Sequence, residues 1–267
     1  MQPPPHVVAA FGFFGIPEPL PGGTGTSWRC GDAVLKPLEW SASLEELEWR
    51  GDVLGSIRED GFRVPRPVRT RDGSALVDGW HAWTYLEGEH RERLWPEVIA
   101  AGERFHAALA DVSRPSFLDR RTDHWAVGDR VAWGELPAES FAHVKHLPRL
   151  VEALRPLNKP SQVVHGDLTG NILFADGHPP AVIDFAPYWR PASFGSAVVV
   201  GDALAWEGAD ESLLGAVEHV PSFPQFLLRA LIYRIVVDAL FRPAEPDRLN
   251  AADCFLGPVE LACRLAE

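Results

Sequence analysis

The sequence predicts an α+β protein, with short strands in its first third and helices through most of the remainder. Three observations carry this. Before residue 85, short apolar runs alternate with Gly, Pro and Asp. After it, apolar residues recur at helical spacing, as in Val98, Gly102, Phe105 and Leu109. Between 163 and 185, three short apolar runs bracket polar turns. Strands followed by helices, rather than strict alternation of the two, is the α+β order. At 267 residues the chain buries a full core, as one large domain or as two lobes.

The chain begins Met1-Gln2-Pro3-Pro4-Pro5, without the basic start of a secretory signal. His6 to Phe14 is apolar enough for a short packing helix or strand. Glu18 to Pro37 then reads as strand, Gly-rich loop, strand, hairpin, strand. The loop is Gly22-Gly23-Thr24-Gly25-Thr26, the hairpin turns at Gly31-Asp32, and the third strand is Ala33-Val34-Leu35-Lys36-Pro37. Glycines let backbone N–H groups approach a phosphate closely, although a turn-rich loop looks the same. No Walker A sequence occurs. Lysine is scarce: only Lys36, Lys145 and Lys159 interrupt an arginine-biased set of cations, and a compact ammonium on a strand differs in use from a guanidinium.

A helix is expected from Ser41 or Ser43, since Ser43-x-x-Glu46 fits a capping box. Leu44, Leu47, Val53, Leu54 and Ile57 form its apolar arc, with Glu46 inside that arc and Glu45 and Glu48 outside. Arg63 to Val68 and Ser74 to Val77 read as further strands of the same sheet. Trp80 to Thr84 reads as an amphipathic strand ending at Glu87-Gly88. The second part opens with a helix over Leu94 to Leu109, on which His106 reads as structural. From Asp111 to Pro160 the pattern is irregular, with Asp119, Asp123, Asp129 and Glu135 either solvated or available to a cation. Phe226 to Leu240 and Ala251 to Leu265 read as apolar helices separated by Pro243 to Pro246.

The most informative stretch is Val163-Val164-His165-Gly166-Asp167-Leu168-Thr169-Gly170-Asn171-Ile172-Leu173-Phe174, followed by Ala181-Val182-Ile183-Asp184-Phe185. It brings two carboxylates and an amide to the ends of short strands. That set suits phosphoryl transfer from a metal-bound nucleotide, which asks a protein chiefly for positioning and charge neutralisation. Asp167 would accept the proton of an attacking hydroxyl. Asn171 and Asp184 would give hard oxygen ligands to Mg2+.

These motifs resemble the aminoglycoside phosphotransferase family, whose kinase-like members carry a His-Gly-Asp-…-Asn loop and an Ile-Asp-Phe/Trp metal motif. The resemblance implies a two-lobed protein-kinase-like α+β fold: a small β-rich N-terminal lobe over residues 1–85 and a larger, mostly helical C-terminal lobe over 86–267. It implies ATP or GTP as donor, Mg2+, and a small hydroxyl-bearing acceptor, with Asp167 as base and His165 fixing the catalytic loop. Nucleotide contacts would come from Gly23, Thr24, Gly25, Thr26 and Lys36. Glu46 would hold Lys36, with Glu48 as the other candidate, and the hinge would present the Thr84 carbonyl and the Leu86 N–H to adenine. Asp202 matches the buried aspartate that braces the loop.

Two departures stand out. Three residues, rather than the usual four, separate Asp167 from Asn171, and Gly170 tolerates the tighter path. After Asp184 comes Ala186-Pro187-Tyr188-Trp189-Arg190-Pro191, in which Arg190 either reaches phosphate or stacks on Trp189. No Ala-Pro-Glu or hydroxyl-rich activation loop follows, which argues against a regulated protein kinase. Both departures keep a second reading open, a kinase-like module that binds nucleotide or a partner without turnover. Within enzymes, a metabolic kinase acting on a sugar, amino alcohol or amino acid stands beside an aminoglycoside-like acceptor.

The net charge of −12 argues against a nucleic-acid surface and allows a cationic substrate, although a solvated acidic face explains it equally. Cys30, Cys254 and Cys263 show no metal-ligand spacing and read as reduced thiols of a cytoplasmic protein. The apolar run Ala197 to Val200 is soon broken by Asp202, so no membrane span is expected.

Overall fold

A computed structural model of the chain describes residues 1–21, 25–242 and 253–267. In chain order its elements begin with α1 (Pro5–Ala10), β1 (Glu18–Pro19), β2 (Trp28–Cys30), β3 (Ala33–Pro37), α2 (Leu44–Ser56), β4 (Pro67–Val68) and β5 (Trp80–Thr84). There follow α3 (Trp95–Ala108), α4 (Phe117–Arg120), α5 (His124–Ala132), α6 (Leu147–Ala153), β6 (Gln162–His165), β7 (Ile172–Leu173), β8 (Ala181–Val182) and β9 (Pro187–Arg190). The chain closes with α7 (Ser193–Trp206), α8 (Phe223–Phe241) and α9 (Leu256–Ala266). It divides into two compact units. The first is Met1–His90 with Pro115–Phe117 and Gly170–Phe185; the second is Arg91–Arg114, Leu118–Thr169 and Ala186–Glu267.

The first unit is built on an antiparallel sheet in the order β1-β2-β3-β5-β4. Side chains alternate across it, as the two-residue period of a strand requires. Leu35 and Ala82 face one another on the side covered by Val7, Val8 and Phe11 of the α1 region, and Lys36 lies opposite His81 in register. The two-residue β2–β3 turn places Gly31 at φ 59°, a conformation open to glycine. Helix α2 starts where the capping box predicts: the Ser43 hydroxyl accepts from the Glu46 N–H at 3.1 Å. Its Gly51 leaves room for Pro67, whose Cβ would lie 3.4 Å from any Cβ at that position. A hairpin of β7 and β8, with Ile172 opposite Val182, belongs to the same unit.

Two expected strands take other forms. Of Arg63 to Val68 only Pro67–Val68 is strand, since Pro65 has no N–H to extend the ladder; Arg63 instead bridges Ala181. Ser74 to Val77 is held as a turn, with the Ser74 N–H bound to Thr70 Oγ1 at 2.9 Å and a single bridge from Val77 to Trp80.

The second unit packs its helices around α8, which touches α5, α6, α7 and α9. Phe226, Leu227, Leu228, Leu231, Ile232 and Val236 are all fully buried, as expected of a helix apolar on every side. At Gly128 of α5, an added Cβ would come within 2.9 Å of the Tyr233 carbonyl oxygen, so glycine sets the approach of α5 to α8. A two-stranded ribbon of β6 and β9 pairs His165 with Pro187. Helix α9 begins at Leu256; the expected start at Ala251 and the break at Pro243 to Pro246 lie outside the described residues. No helix among the described residues is long and apolar enough to cross a membrane.

Candidate active site

In the second unit, β6 delivers His165, fully buried, to the start of the loop that carries Asp167. Its backbone N–H donates to His106 Nε2 of α3 at 3.0 Å. Burial pushes the His106 imidazole down to about 3, with the neighbouring His165 adding to the effect, so it stays neutral and can accept. The Asp167 N–H bonds to His165 Nδ1 at 3.1 Å, which makes His165 a brace inside the loop. Gly166 donates to the Ala186 carbonyl at 3.0 Å and packs so closely on Tyr188 that a Cβ there would lie 2.3 Å from the ring. Leu168 is buried against Gly102 of α3.

The half-exposed Asp167 side chain meets Arg234 of α8, Nη2 to Oδ1, at 2.7 Å. Arg234 also donates to the buried Asp202, through Nε at 2.8 Å and Nη2 at 2.6 Å. Burial pushes the Asp202 carboxyl up while the guanidinium opposes it. The buried Asp202, which the resemblance implies as a brace, is linked to Asp167 through an arginine that sequence reading did not single out. A signal was present: a charge inside an otherwise apolar helix must find a buried partner.

In the first unit, Gly170 adopts φ 76°, the left-handed path that the shortened loop needs. The Ile183 N–H donates to the Asn171 carbonyl at 3.0 Å, so Asn171 sits at the end of the β7–β8 hairpin from which Asp184 emerges. Asp184 itself has φ 50°, a strained conformation for a side chain other than Asn or Asp. Its carboxylate is ion-paired with the Lys36 ammonium. The following Phe185 is stacked on Trp49 at 5.9 Å, and its carbonyl accepts from Arg50 Nη1 at 3.4 Å. Trp49 and Arg50 were not singled out from the sequence, because nothing local to α2 marks which residue follows Asp184 in space.

The partner set for Lys36 differs from expectation. Its carboxylate is Asp184, while Glu46 serves the Ser43 cap through its N–H and lies 3.7 Å from Arg50 Nε; Glu48 pairs with Arg69 at 2.5 Å. Helix geometry favours this, since Arg50 stands one turn from Glu46. Across the sheet from Lys36, His81 is held at about 3 by burial, then by the charges of Arg50 and Lys36, and accepts from Trp83 Nε1 at 2.8 Å.

At the expected hinge, Thr84 ends β5 and exchanges hydrogen bonds with Arg66: N–H to carbonyl at 2.9 Å, and Arg66 N–H to Oγ1 at 2.9 Å. Leu86 follows, half-buried. Gly25 (φ 70°) and Thr26 lead out of the β1–β2 loop, whose mouth is closed by Leu20 N–H to the Ser27 carbonyl at 2.9 Å; Gly23 and Thr24 lie outside the described residues.

Arg190 neither reaches for phosphate nor stacks on Trp189. It is buried, with Nε and Nη2 on Asp129 at 2.9 and 2.6 Å, Nη1 on Glu135 at 2.5 Å, and the guanidinium 5.2 Å from the centre of Trp133. Burial works against its charge, but these carboxylates raise its pKa above the ordinary arginine value. Asp119 pairs with Arg114 at 2.5 Å, and Asp123 pairs with Arg121 at 2.9 Å while capping α5. Asp119, Asp123, Asp129 and Glu135 therefore each already hold an arginine. Asp119 and Glu135 are solvated as well as paired, whereas Asp123 and Asp129 are buried against their arginines.

Mg2+ takes a few protein oxygens and fills its shell with water and phosphate. One carboxylate and one amide at the end of a single hairpin fit that demand. Among the described residues, no cluster of three or more His, Cys, Asp or Glu side chains could cage a metal entirely in protein.

A β-rich unit carrying Lys36 and Asp184, and a helical unit carrying His165 and Asp167, define a kinase-like phosphotransferase fold. The sequence matches the phosphotransferase enzyme family over residues 20–188, and the chain belongs to that family. A homoserine kinase from Gluconacetobacter diazotrophicus is 29% identical over 184 residues, covering 58% of this chain and 53% of that one. The chain thus spans about half the length of this curated relative. Among solved structures, spectinomycin phosphotransferase with ADP and spectinomycin superposes with a TM-score of 0.58 at 12% identity, covering 98% of this chain and 95% of that one. An aminoglycoside phosphotransferase from Alicyclobacillus acidocaldarius gives 0.59 at 16%, covering 100% and 96%. A thermostable mutant of another, with ADP and hygromycin B, gives 0.60 at 15%, covering 97% of each. At these identities the likeness is one of fold.

Proposed function

We propose that the protein transfers the γ-phosphoryl group of ATP or GTP to a hydroxyl of a small molecule. The observation that carries this reading is the Lys36–Asp184 ion pair, with Asn171 tied to the hairpin end from which Asp184 emerges. Asp184 and Asn171 would hold Mg2+, which offsets phosphate charge when bound. Lys36 would turn from Asp184 to the phosphates. Gly23, Thr24, Gly25 and Thr26 would supply backbone contacts to the phosphates, and Thr84 and Leu86 those to the base. Asp167 takes the proton of the acceptor hydroxyl as the acceptor oxygen forms its bond to phosphorus. The bond to the bridging oxygen breaks, and the nucleoside diphosphate leaves. His165, buried and hydrogen-bonded within its loop, holds the loop rather than moving protons.

The acceptor we favour is a small amino acid or amino alcohol. Asp119, Asp123, Asp129 and Glu135 are paired with arginines, which leaves these four poorly suited to a polycation, and the curated relative is a homoserine kinase. The test is ADP formation from Mg2+·ATP with homoserine, other amino alcohols and aminoglycosides. Turnover with the first two groups, abolished in Asp167→Asn, supports the reading. Nucleotide binding without turnover on any acceptor, water included, would leave the non-catalytic module in its place.

A further inference from the structure

Arg234 lies midway along α8 with its side chain 11% exposed, its guanidinium 5.0 Å from the Tyr233 ring centre and 6.0 Å from that of Trp206. Two donors of one face, Nε and Nη2, meet the two oxygens of Asp202 at 2.8 and 2.6 Å. This fork fixes the plane as well as the position of the guanidinium. Asp202 alone neutralises it, so the third group, Asp167, is not needed for charge balance. Yet Nη2 also donates to Asp167 Oδ1 at 2.7 Å. The three side chains together carry a formal charge of −1, and a carboxylate offers about four lone-pair sites, of which this contact uses one. Asp167 therefore keeps its capacity to accept a proton while losing rotational freedom.

We propose that Arg234 is a positioning residue, anchored by Asp202, that aims the Asp167 carboxylate at the acceptor hydroxyl. The inference rests on the assignment of Asp167 as the base. Asp167 is half-exposed, so losing the Arg234 contact gives its side chain more rotational freedom, and a misplacement of about 1 Å in a catalytic group costs on the order of 100-fold. An arginine serves better than a lysine, because only a planar fork can be locked by Asp202 and still present an N–H to a second carboxylate.

The test compares the full chain with its Arg234→Met, Arg234→Lys and Asp202→Asn variants. The readout is steady-state ADP formation from Mg2+·ATP, with water as acceptor and with homoserine. Arg234→Met is expected to lose about 10- to 100-fold in kcat, with the KM for ATP unchanged within twofold. Arg234→Lys should recover part of that loss. A structural role alone would lower the amount of folded protein and leave the kcat of the folded fraction intact. If Arg234→Met does not fold, Asp202→Asn, which keeps the shape of the anchor, must lower kcat without changing ATP binding. A folded Arg234→Met or Asp202→Asn protein with kcat within twofold of the parent overturns the inference, as does a loss confined to KM. Undiminished turnover in Asp167→Asn overturns the base assignment instead, and absence of turnover in the parent removes both.

Discussion

The Lys36 ammonium is ion-paired with the Asp184 carboxylate, from a residue 148 positions further along the chain. Each is the group that the proposed chemistry would turn toward the nucleotide, one to phosphate and one to metal, and without nucleotide they neutralise each other. Free nucleotide should therefore bind weakly, and Mg2+ should strengthen it by giving Asp184 a cation in place of Lys36. At a hundredfold excess over Kd, binding adds about 2.7 kcal/mol, roughly 5–10 °C in Tm for a chain of this size. We expect that shift with Mg2+·ATP and its loss in Asp184→Ala, read by thermal unfolding. An unaltered shift in the variant would refute the ligand role.

Asp167→Asn removes the proton acceptor but keeps the shape of the side chain. Turnover should fall by about 10²–10⁴-fold, while the Mg2+·ATP thermal shift persists. Activity within a few-fold of the parent would rule out Asp167 as the base.

Gly166→Ala puts a methyl group where the Tyr188 ring lies at 2.3 Å, and that ring is tied through its hydroxyl to Tyr233 at 3.1 Å. Overpacking of this kind costs about 1–3 kcal/mol. Urea unfolding should show that loss, with a fall in turnover as the loop shifts. An alanine variant of parental stability would mean that the loop yields more easily than its packing implies.

His81 and His106 are both held neutral, at about 3, by burial. Unfolded histidine titrates near 6.5, so between these values the unfolded chain binds the extra protons. Stability is then complete above pH 6.5 and declines as pH falls toward 3, by up to about 1.4 kcal/mol per pH unit for each histidine. Urea unfolding between pH 7 and 5 should show the decline, and His106→Gln should reduce its slope. An unchanged slope would count against a buried neutral imidazole.

Asp129→Ala leaves the buried Arg190 guanidinium with Glu135 as its remaining carboxylate partner among the described residues. Losing one partner of such a pair costs about 3–5 kcal/mol. Removing both charges, as in Asp129→Leu with Arg190→Met, should cost less than the single change. The comparison of the two unfolding midpoints tests this directly, and equal losses would show that the pair contributes little.

What the sequence could determine was local. The Ser43 cap, the Gly31-Asp32 turn, the run of short strands and the spacing of His165, Asp167, Asn171 and Asp184 each depend on residues a few positions apart. Their physics is that of hydrogen bonds and backbone angles within one turn or strand. The mostly apolar helix around Phe226 to Leu240 was equally readable, because the burial of its apolar residues follows from its own composition.

Tertiary structure alone decided which charges meet. Lys36 took Asp184 rather than Glu46, Arg190 took Asp129 and Glu135 rather than a phosphate or Trp189, and Arg234 joined Asp202 to Asp167. Several carboxylates compete for each cation, and spacing along the chain does not rank them. Burial makes an unpaired ion costly, so each cation is satisfied by whichever acid the packing of distant elements brings within hydrogen-bond reach.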